Sequence, residues 1–298
     1  MMLESIVFFS CIAAAAASWT KNLNYRSPSE HHPFMGIAVH KVIRRNSLKE
    51  RFDLGQLNFT HGVASGDPYP NSVILWTRCS PVYGDDKSNI AVSGTVPLFN
   101  HETEQYVKVS TSPVCVQYKV AIDSGMKQAV TSRTAYTSSD IDYTLKVEAA
   151  GLELFTQYYY QFTVCNSKNS SPIGRTKTTP KANDKTGTIS LAVYSCSNYN
   201  FGFFNAFGNL AKKNSVDYVI HLGDFIYEYA EGAYGWGWSI GRISQPNAEC
   251  RTLYDYRKRH ATYRADLDSI ENFQAFAWIP VWDDHEVADN SYRRTTSY

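Results

Sequence analysis

Three short motifs hold most of the side chains in this sequence that could bind a metal ion or move a proton. They are Ser195-Cys196-Ser197, Gly223-Asp224-Phe225-Ile226-Tyr227 and Trp282-Asp283-Asp284-His285-Glu286. The candidate ligands in these motifs are a thiol, a phenol and two carboxylates, on Cys196, Tyr227, Asp224 and Asp284. Anionic ligands of this kind suit a trivalent or borderline transition metal. The imidazole of His285 could be a further ligand, or it could donate a proton to a leaving alkoxide.

Each motif follows a segment whose composition predicts a buried strand. β-Branched and aromatic residues with little polar alternation fill residues 189–194, 218–222 and 277–281, a pattern typical of strands covered on both faces of a sheet. A helical pattern at 201–213 separates the first two strands, and its apolar face consists of Phe204, Phe207, Leu210 and Ala211. A longer, interrupted helical stretch separates the second strand from the third. This β-α-β-α-β order predicts parallel strands whose C-terminal ends share one edge, and we predict a metal site there.

The same residues also have a structural explanation. A buried cysteine packs as a small apolar side chain, and Asp224 and Asp284 could cap helices that follow their strands. Capping does not explain why such groups occur at three successive strand ends. The constellation therefore favours a metal site, whereas His221, inside the second strand, is expected to be a hydrogen-bonded core histidine.

Composition and charge limit the class of protein. The chain has 298 residues, enough for two domains of ordinary size, and its 43% hydrophobic and 14% aromatic residues are typical of a globular protein. The formal net charge is +1 and no block of lysine and arginine occurs, so the sequence has no nucleic-acid-binding footprint.

An apolar N-terminal run predicts entry into the secretory pathway. Residues 6–17 are apolar and end in small residues, a length that suits a signal-peptide core and is shorter than the roughly 20 residues of a membrane span. We therefore predict a signal peptide at 1–18, a connector at 19–58, no transmembrane span, and an extracellular or cell-wall location. The start of the chain lacks a basic residue, which leaves a retained hydrophobic N-terminus as the alternative.

The cysteines predict one unpaired thiol. Cys11 lies in the predicted signal peptide, and five cysteines remain, an odd number for a secreted chain. If Cys196 binds a metal, the others can pair, in an order that the sequence does not decide. These others are Cys79, Cys115, Cys165 and Cys250.

Residues 59–180 have the alternation of a β-sandwich. The clearest strands with a period of two residues lie at 73–77, 114–122, 143–148 and 158–165. Gly151-Leu152 followed by Tyr158-Tyr159-Tyr160-Gln161-Phe162 is typical of a turn and strand of a fibronectin-III-type sandwich, in which a tyrosine anchors a corner. The three tyrosines could instead form a ligand-stacking patch, but a strand is favoured because aromatic residues are common in strands. The polar segment 180–187 is predicted to link this sandwich to an α/β region at 187–298.

Two segments of the α/β region leave alternatives open. Residues 228–242 are rich in glycine and aromatic residues, which argues against a helix. This segment either walls a substrate pocket or packs on itself as a surface loop. Residues 253–265 predict a helix whose Arg257, Lys258 and Arg259 face solvent, although one of its arginines could instead bind phosphate.

Taken in order, the motifs resemble those of the PhoD-type alkaline phosphatases, a branch of the calcineurin-like metallophosphoesterases. In that family a cysteine and a tyrosine replace ligands of the wider superfamily, and this sequence has both replacements, at Cys196 and Tyr227. The segments from Thr60 to Pro68 and from Val73 to Arg78 are similar to the family's N-terminal domain. The resemblance runs almost without interruption from about Phe59 to the end.

The resemblance implies a site and a reaction. Cys196, Asp224 and Tyr227 would hold Fe³⁺, and Asp224 would bridge towards Ca²⁺. Asp284 takes the place of a metal-binding asparagine, and His285 matches the histidine that stabilises the phosphoryl transition state. The neighbouring residues Asp289 and Asn290 are weaker candidates for supporting this site. The implied reaction is hydrolysis of phosphate monoesters or diesters, with metals screening the phosphoryl oxygens and activating a water.

The resemblance also implies a fold, of which this sequence holds a part. The prediction is an N-terminal all-β, fibronectin-III-like sandwich followed by a partial α/β metallophosphatase domain, an incomplete α/β/β/α sandwich. The family's second half supplies further aspartate and histidine ligands, and without it an apolar sheet face is expected to be uncovered. The alternative function is a non-enzymatic extracellular binding protein that uses the sandwich as its interaction surface.

Overall fold

The computed structural model describes residues 22–24, 57–81, 114–138, 141–185 and 187–291. The predicted signal peptide and nearly all of the predicted connector lie outside these ranges, and so does Cys11. In the described ranges the strands are β1 (Leu57–Asn58), β2 (Val63–Gly66), β3 (Ser72–Arg78), β4 (Ser80–Pro81), β5 (Val114–Ala121), β6 (Ala129–Thr137), β7 (Thr144–Ala150), β8 (Gln157–Val164), β9 (Gly174–Lys177), β10 (Leu191–Tyr194), β11 (Tyr218–His221) and β12 (Ala277–Pro280). The helices there are α1 (Asn205–Lys213), α2 (Leu253–Ala265) and α3 (Leu267–Ala275), with 3₁₀ turns at Tyr199–Phe201 and Trp238–Ile240.

The strands form a six-stranded mixed sheet, a four-stranded antiparallel sheet and the small pair β1–β4. The order in the larger sheet is β10-β11-β12-β2-β3-β7, and the order in the smaller one is β6-β5-β8-β9. Strands β10, β11 and β12 are parallel, which confirms the prediction from their connections. Strands β2, β3 and β7 are antiparallel neighbours.

The sandwich consists of strands β3 and β7 packed against the four-stranded sheet. Buried side chains alternate with less buried ones along β5, β7 and β8, and the buried sets form one continuous apolar core. A disulfide joins Cys115 on β5 to Cys165, just after β8. Tyr158 is buried and its hydroxyl accepts a hydrogen bond from the Glu153 amide at 2.8 Å. The fibronectin-III likeness itself stays a prediction.

One sheet runs through both the sandwich and the α/β region. Strand β12 pairs in parallel with β2, through Ala277 opposite Ser65 and Trp278 opposite Gly66. Gly66 permits this approach, because a Cβ there would lie 2.8 Å from the Trp278 carbonyl oxygen. The sequence pattern predicts both groups of strands but carries no information about which edges meet, so this junction was not predicted.

Helices α1 and α3 cover one face of the parallel strands. The core beneath them includes Phe207, Val219, Phe273 and Trp278, with Phe273 and Trp278 stacked at 4.0 Å between ring centroids. The described residues leave the other face open, and Leu191, Val193 and Ile279 are 48%, 57% and 39% exposed. The composition of β10 and β12 is that of strands covered on both faces, and their exposure within the described chain agrees with the expectation that an apolar sheet face is uncovered in this partial domain.

Helix α2 has the predicted bounds but not the predicted surroundings. Thr252 and Asp255 form a reciprocal capping box at its start. The prediction that its basic residues face solvent is wrong for Lys258 and Arg259, which are buried. Arg259 is only 1% exposed, and its guanidinium donates hydrogen bonds to backbone carbonyls. The acceptors are the carbonyl oxygens of Tyr227, Tyr229, Gln245, Pro246 and Ala248.

Two remaining predictions concern pairing and membranes. Cys79 and Cys250 are buried thiols that form no disulfide, so the expectation that they pair is wrong. Each is enclosed in a different part of the fold, Cys79 beside β3 and Cys250 just before α2. Among the described helices, none is long and apolar enough to cross a bilayer.

Candidate metal centre

The three motifs lie side by side because their strands end side by side. Tyr194 on β10 is level with His221 on β11, and His221 is level with Pro280 on β12. The backbones beyond the strands are also joined, since the Ser197 amide donates to the Asp224 carbonyl at 2.8 Å. The shared edge that the sequence predicted is therefore present.

The backbone at this edge takes up unusual conformations. Cys196 and Asp224 have φ angles of 54° and 55°, in the left-handed region that few residues other than glycine adopt. Gly223 has φ of 102°, and a Cβ there would lie 2.5 Å from the Cβ of Asp283. Strained non-glycine residues persist where the surrounding structure holds them, and they cluster at functional sites. Both strained residues here are predicted ligands.

Asp224 is the centre of the first group of ligands. Its Oδ2 atom lies 3.6 Å from the Cys196 sulfur and 3.4 Å from the Tyr227 hydroxyl oxygen. These are the thiol, carboxyl and phenol groups predicted from the first two motifs. Cys196 is exposed, so the group opens to solvent on its side.

Asp224 also belongs to a second group, with Asp284 and His285. The potential ligand atoms of these three residues all lie within 4.8 Å of one another. Asp224 is thus shared between a thiol and phenol on one side and a carboxylate and imidazole on the other. The structure brings all five predicted site residues together, and this arrangement could hold two cations that share one carboxylate.

The electrostatics of Asp224 fit a cation. The residue is 7% exposed, and its Oδ1 atom is buried without a hydrogen-bond partner among the described residues. Burial raises the pKa of Asp224; the imidazole and backbone amide of His285 oppose this, and the nearby Asp284 and Asp283 carboxylates add to it. Burial and the Asp224 carboxylate raise the pKa of the Tyr227 phenol. Acidic groups that are crowded together resist ionisation because their negative charges repel each other. A cation in the same site makes their ionised forms favourable.

The pKa of Asp284 is shifted in the opposite direction from that of Asp224. It is partly exposed, and its Oδ2 atom accepts a hydrogen bond from the Asn290 amide at 2.5 Å. Burial opposes ionisation, but this hydrogen bond and the neighbouring His285 outweigh it and lower the pKa of Asp284. The role predicted for Asn290 is therefore played by its backbone amide, which keeps Asp284 ionised.

Glu228 is a site residue that the sequence analysis missed. It is buried, and its Oε2 atom lies 2.9 Å from Nδ1 of His285. Its other oxygen accepts a hydrogen bond from the Asp289 amide at 2.6 Å, so Asp289 also acts through its backbone. Burial opposes a charge on His285, but the hydrogen bond to Glu228 and the surrounding carboxylates outweigh burial and raise the pKa of His285. The only sequence feature that pointed to Glu228 was its position directly after Tyr227.

Two other carboxyl and imidazole groups beside the centre have structural roles. Glu286 accepts hydrogen bonds from the amides of Asp224, Phe225 and Asp283 and so ties the second motif to the third. His221 accepts from the Gly223 amide at Nδ1, which leaves its Nε2–H to donate to Ser197 Oγ at 2.9 Å. Burial lowers the pKa of His221 to about 4. It is the hydrogen-bonded core histidine that the sequence predicted.

The glycine-rich segment 228–242 borders the centre. The ring of Tyr234 stacks on that of Tyr227 at 5.8 Å between centroids, and the Asn198 side chain donates to the Tyr234 carbonyl at 3.0 Å. The segment also packs on itself, because Glu231 accepts hydrogen bonds from the amides of Gly237 and Trp238. The segment therefore packs on itself, as one of the two alternatives predicts, and it also places Tyr234 beside the centre; a role in walling a substrate pocket stays a prediction.

Comparisons with known proteins agree with this geometry. Residues 191–298 match the family described as "PhoD-like phosphatase", and residues 45–180 match "PhoD-like phosphatase, N-terminal domain". The chain is 38% identical over 257 residues to alkaline phosphatase D of Bacillus subtilis (strain 168), which covers 86% of this chain and 40% of that protein. A solved structure described as "Structure of PhoD" superposes with a TM-score of 0.66 and 36% identity, over 81% of this chain and 41% of that one. The chain thus spans about 40% of the length of these relatives.

Proposed function

The chain belongs to the PhoD-like phosphatase family, and from this we propose that it hydrolyses phosphate esters at the centre around Asp224. The observation that carries the proposal is that Asp224 is shared between two groups of ligands at the ends of parallel strands. A buried carboxylate oxygen without a hydrogen-bond partner supports a cation beside it. The alternative of a non-enzymatic binding protein has no comparable support from a described contact.

We propose that the two groups bind different metals. Cys196, Asp224 and Tyr227 offer sulfur and anionic oxygen ligands, which suit Fe³⁺. Asp224 and Asp284 offer carboxylate oxygens, which suit Ca²⁺. When bound, these cations would screen the phosphoryl oxygens and activate a water for in-line attack. The remaining chemistry falls to the protein's own side chains.

His285 is the residue that we propose to meet the phosphoryl group. Its Nδ1–H is held by Glu228, which leaves Nε2 to face the substrate. We propose that His285 stabilises charge on the phosphoryl oxygens and donates a proton to a leaving alkoxide, and the raised pKa of His285 in the metal-free protein favours its protonated form. Glu228 fixes the orientation of the ring and the proton at Nδ1. Both phosphate monoesters and diesters are compatible with this arrangement.

We also propose that the chain follows a secretory route to the cell exterior or wall. The disulfide between Cys115 and Cys165 supports this, because structural disulfides persist in oxidising compartments. The apolar run at residues 6–17 agrees with the same route.

The test is turnover by purified residues 19–298 supplied with iron and calcium, using one aryl phosphate monoester and one diester. We expect turnover that Asp224→Asn abolishes, together with a visible absorption band that Tyr227→Phe removes, since a phenolate bound to iron absorbs visible light. A folded, soluble, iron-loaded protein that hydrolyses neither ester would contradict the proposal for this chain.

A further inference from the structure

A cavity lies between the sandwich and helix α2, and it is lined in part by Phe225 and Glu286, the sequence neighbours of Asp224 and His285. We call it the junction cavity; its volume is about 700 Å³ and its walls come from β2, β3, β11, β12, α2 and α3. None of the five predicted site residues lines it. Most of its exposed lining is apolar, including the rings of Trp76, Phe225, Phe273 and Trp278. Its size is within the roughly 300–1,000 Å³ of sites that bind small organic molecules.

A cation without a counterion lies in the wall of the junction cavity. The Arg264 guanidinium lies over the rings of Phe273 and Trp76, at 3.8 Å and 4.4 Å from their centroids. It forms no ion pair with a described carboxylate, and its Nη2 atom is buried without a hydrogen-bond partner among the described residues. Although the residue as a whole is partly exposed, its enclosure among apolar groups lowers the pKa of Arg264 to about 9.

His61 adds an unsatisfied group to the same wall. It is 1% exposed, its Nδ1 atom pairs with the Thr60 hydroxyl at 3.0 Å, and its Nε2 atom has no partner among the described residues. Burial and the nearby charges of Arg78 and Arg264 lower the pKa of His61, which keeps the ring neutral. A neutral imidazole can donate one N–H to an anion.

The carboxylates that line the junction cavity are already engaged. Asp142 forms an ion pair with Arg78 at 2.7 Å, and Glu286 accepts from the backbone amides at the strand ends. Neither is available to Arg264. A partly exposed guanidinium without an ion-pair partner among the described residues and the buried His61 imidazole therefore share a cavity with flat aromatic walls.

We propose that the junction cavity binds an aromatic organic anion. The oxyanion group of the ligand is held by Arg264 and His61, and its rings pack against the aromatic side chains that line the walls. Such a ligand supplies both of the elements that the cavity lacks, a negative charge at Arg264 and apolar atoms to fill the space. The site is independent of the proposed hydrolysis, because the residues that hold the anion are not those of the metal centre.

The test is calorimetric titration of the full chain with 2-naphthalenesulfonate, an aromatic anion that no phosphatase hydrolyses. We expect one molecule to bind per chain, at least about tenfold more tightly than 2-naphthalenemethanol, which has the same rings and no charge. Arg264→Met should remove about that tenfold preference, whereas Arg133→Met, at an exposed arginine of the sandwich, should leave it unchanged. Equal binding of the charged and neutral probes would overturn the proposal.

Two further variants keep the test decisive if Arg264→Met fails to fold. His260 also lines the junction cavity, and His260→Trp should fill part of the space and weaken sulfonate binding about tenfold or more without removing a fixed charge. Unchanged binding by this variant would contradict the proposal. Asp224→Asn should leave binding unchanged, and loss of binding there would place the probe at the metal centre instead.

Discussion

The sandwich core and the candidate metal centre follow opposite rules of construction. In the sandwich, apolar side chains alternate with exposed ones, the buried Arg78 is matched by Asp142, and a disulfide closes the β5–β8 pair. At the centre, a thiol, a phenol and two carboxylates lie close together around Asp224, whose buried Oδ1 atom has no hydrogen-bond partner among the described residues. The sandwich therefore supplies stability, while the centre holds anionic groups in an arrangement that only a cation makes favourable.

The sharpest test of this contrast is Asp224→Asn. Loss of the shared carboxylate should reduce kcat/KM at least about a thousandfold, equivalent to about 4 kcal/mol, since each tenfold change corresponds to roughly 1.36 kcal/mol. Without added metal the same variant should unfold at a higher temperature than the wild type near neutral pH. The reason is that the raised pKa of Asp224 marks its ionised form as unfavourable in the folded chain, so its charge destabilises the fold above that pKa.

The control for this variant is Asp217→Asn, at the opposite end of β11, where Asp217 pairs with the mostly buried Lys177. It should leave turnover unchanged. Calorimetry with and without metal completes the comparison, because a cation that binds only the folded state should raise the unfolding temperature of the wild type but not of Asp224→Asn. Equal metal stabilisation of both proteins would place the cation elsewhere.

The converse change is Leu145→Ala in the sandwich core. Leu145 is fully buried on β7, and its truncation should cost about 2–5 kcal/mol of unfolding free energy through lost packing and a new cavity. In conditions where the variant remains folded, kcat should stay within about twofold of the wild type, because none of the five predicted site residues belongs to the sandwich core of the described residues. Leu154→Ala, at an exposed leucine, is the matched control for denaturant unfolding. A large loss of kcat in folded Leu145→Ala would show that the two regions are not separable.

A smaller effect is expected from Glu228→Gln, which keeps the shape of the side chain but removes its charge. Turnover should fall about 10- to 100-fold, the range typical of residues that orient groups at a metal site. In the metal-free protein, NMR titration should place the pKa of His285 above 6.5 in the wild type and lower in the variant. By the same linkage, the stability contributed by protonated His285 is present below pH 6.5 and is lost as the pH rises through the raised pKa.

Glu231→Gln is the comparison for this change. Glu231 lies in the same segment but binds the amides of Gly237 and Trp238 rather than His285. It should leave the pKa of His285 unchanged. If both variants shift the His285 titration equally, the effect arises from the loop as a whole, and Glu228 has no specific positioning role.

The parallel direction of β10, β11 and β12 and the site residues at their ends could be predicted because both depend on local patterns. Three apolar runs separated by helical stretches were enough to place all three motifs at one edge of the sheet. Glu228 could not be found in this way, because its contact with His285 joins residues 57 positions apart and lies in a segment without periodicity. Such a contact becomes visible only when the fold brings the segments together.

Other errors have equally specific physical causes. Arg259 was expected to face solvent because charged residues on a helix usually do, yet five backbone carbonyls of irregular loops converge on it and supply the hydrogen bonds that water would have made. The pairing of β12 with β2 depends on two sheet edges that composition does not distinguish. Cysteine counts likewise give no distances, and Cys79 and Cys250 lie apart.

The smallest predicted effect concerns helix α2, which contacts both regions through Arg259 and Arg264. Thr252→Ala removes the hydroxyl that caps the helix and should cost about 1 kcal/mol of unfolding free energy. Thr252→Ser, which keeps a hydroxyl, should cost less than half of that in the same denaturant titration. Arg259 lies beyond the first turn of the helix, and carbonyl oxygens of neighbouring loops hold its side chain in place. We therefore expect no change in kcat in either variant. A fall in kcat with Thr252→Ala alone would mean that the start of α2 positions the Tyr227 loop. The activity of the metal centre would then depend on the stability of the surrounding helix, and the two regions would not be separable.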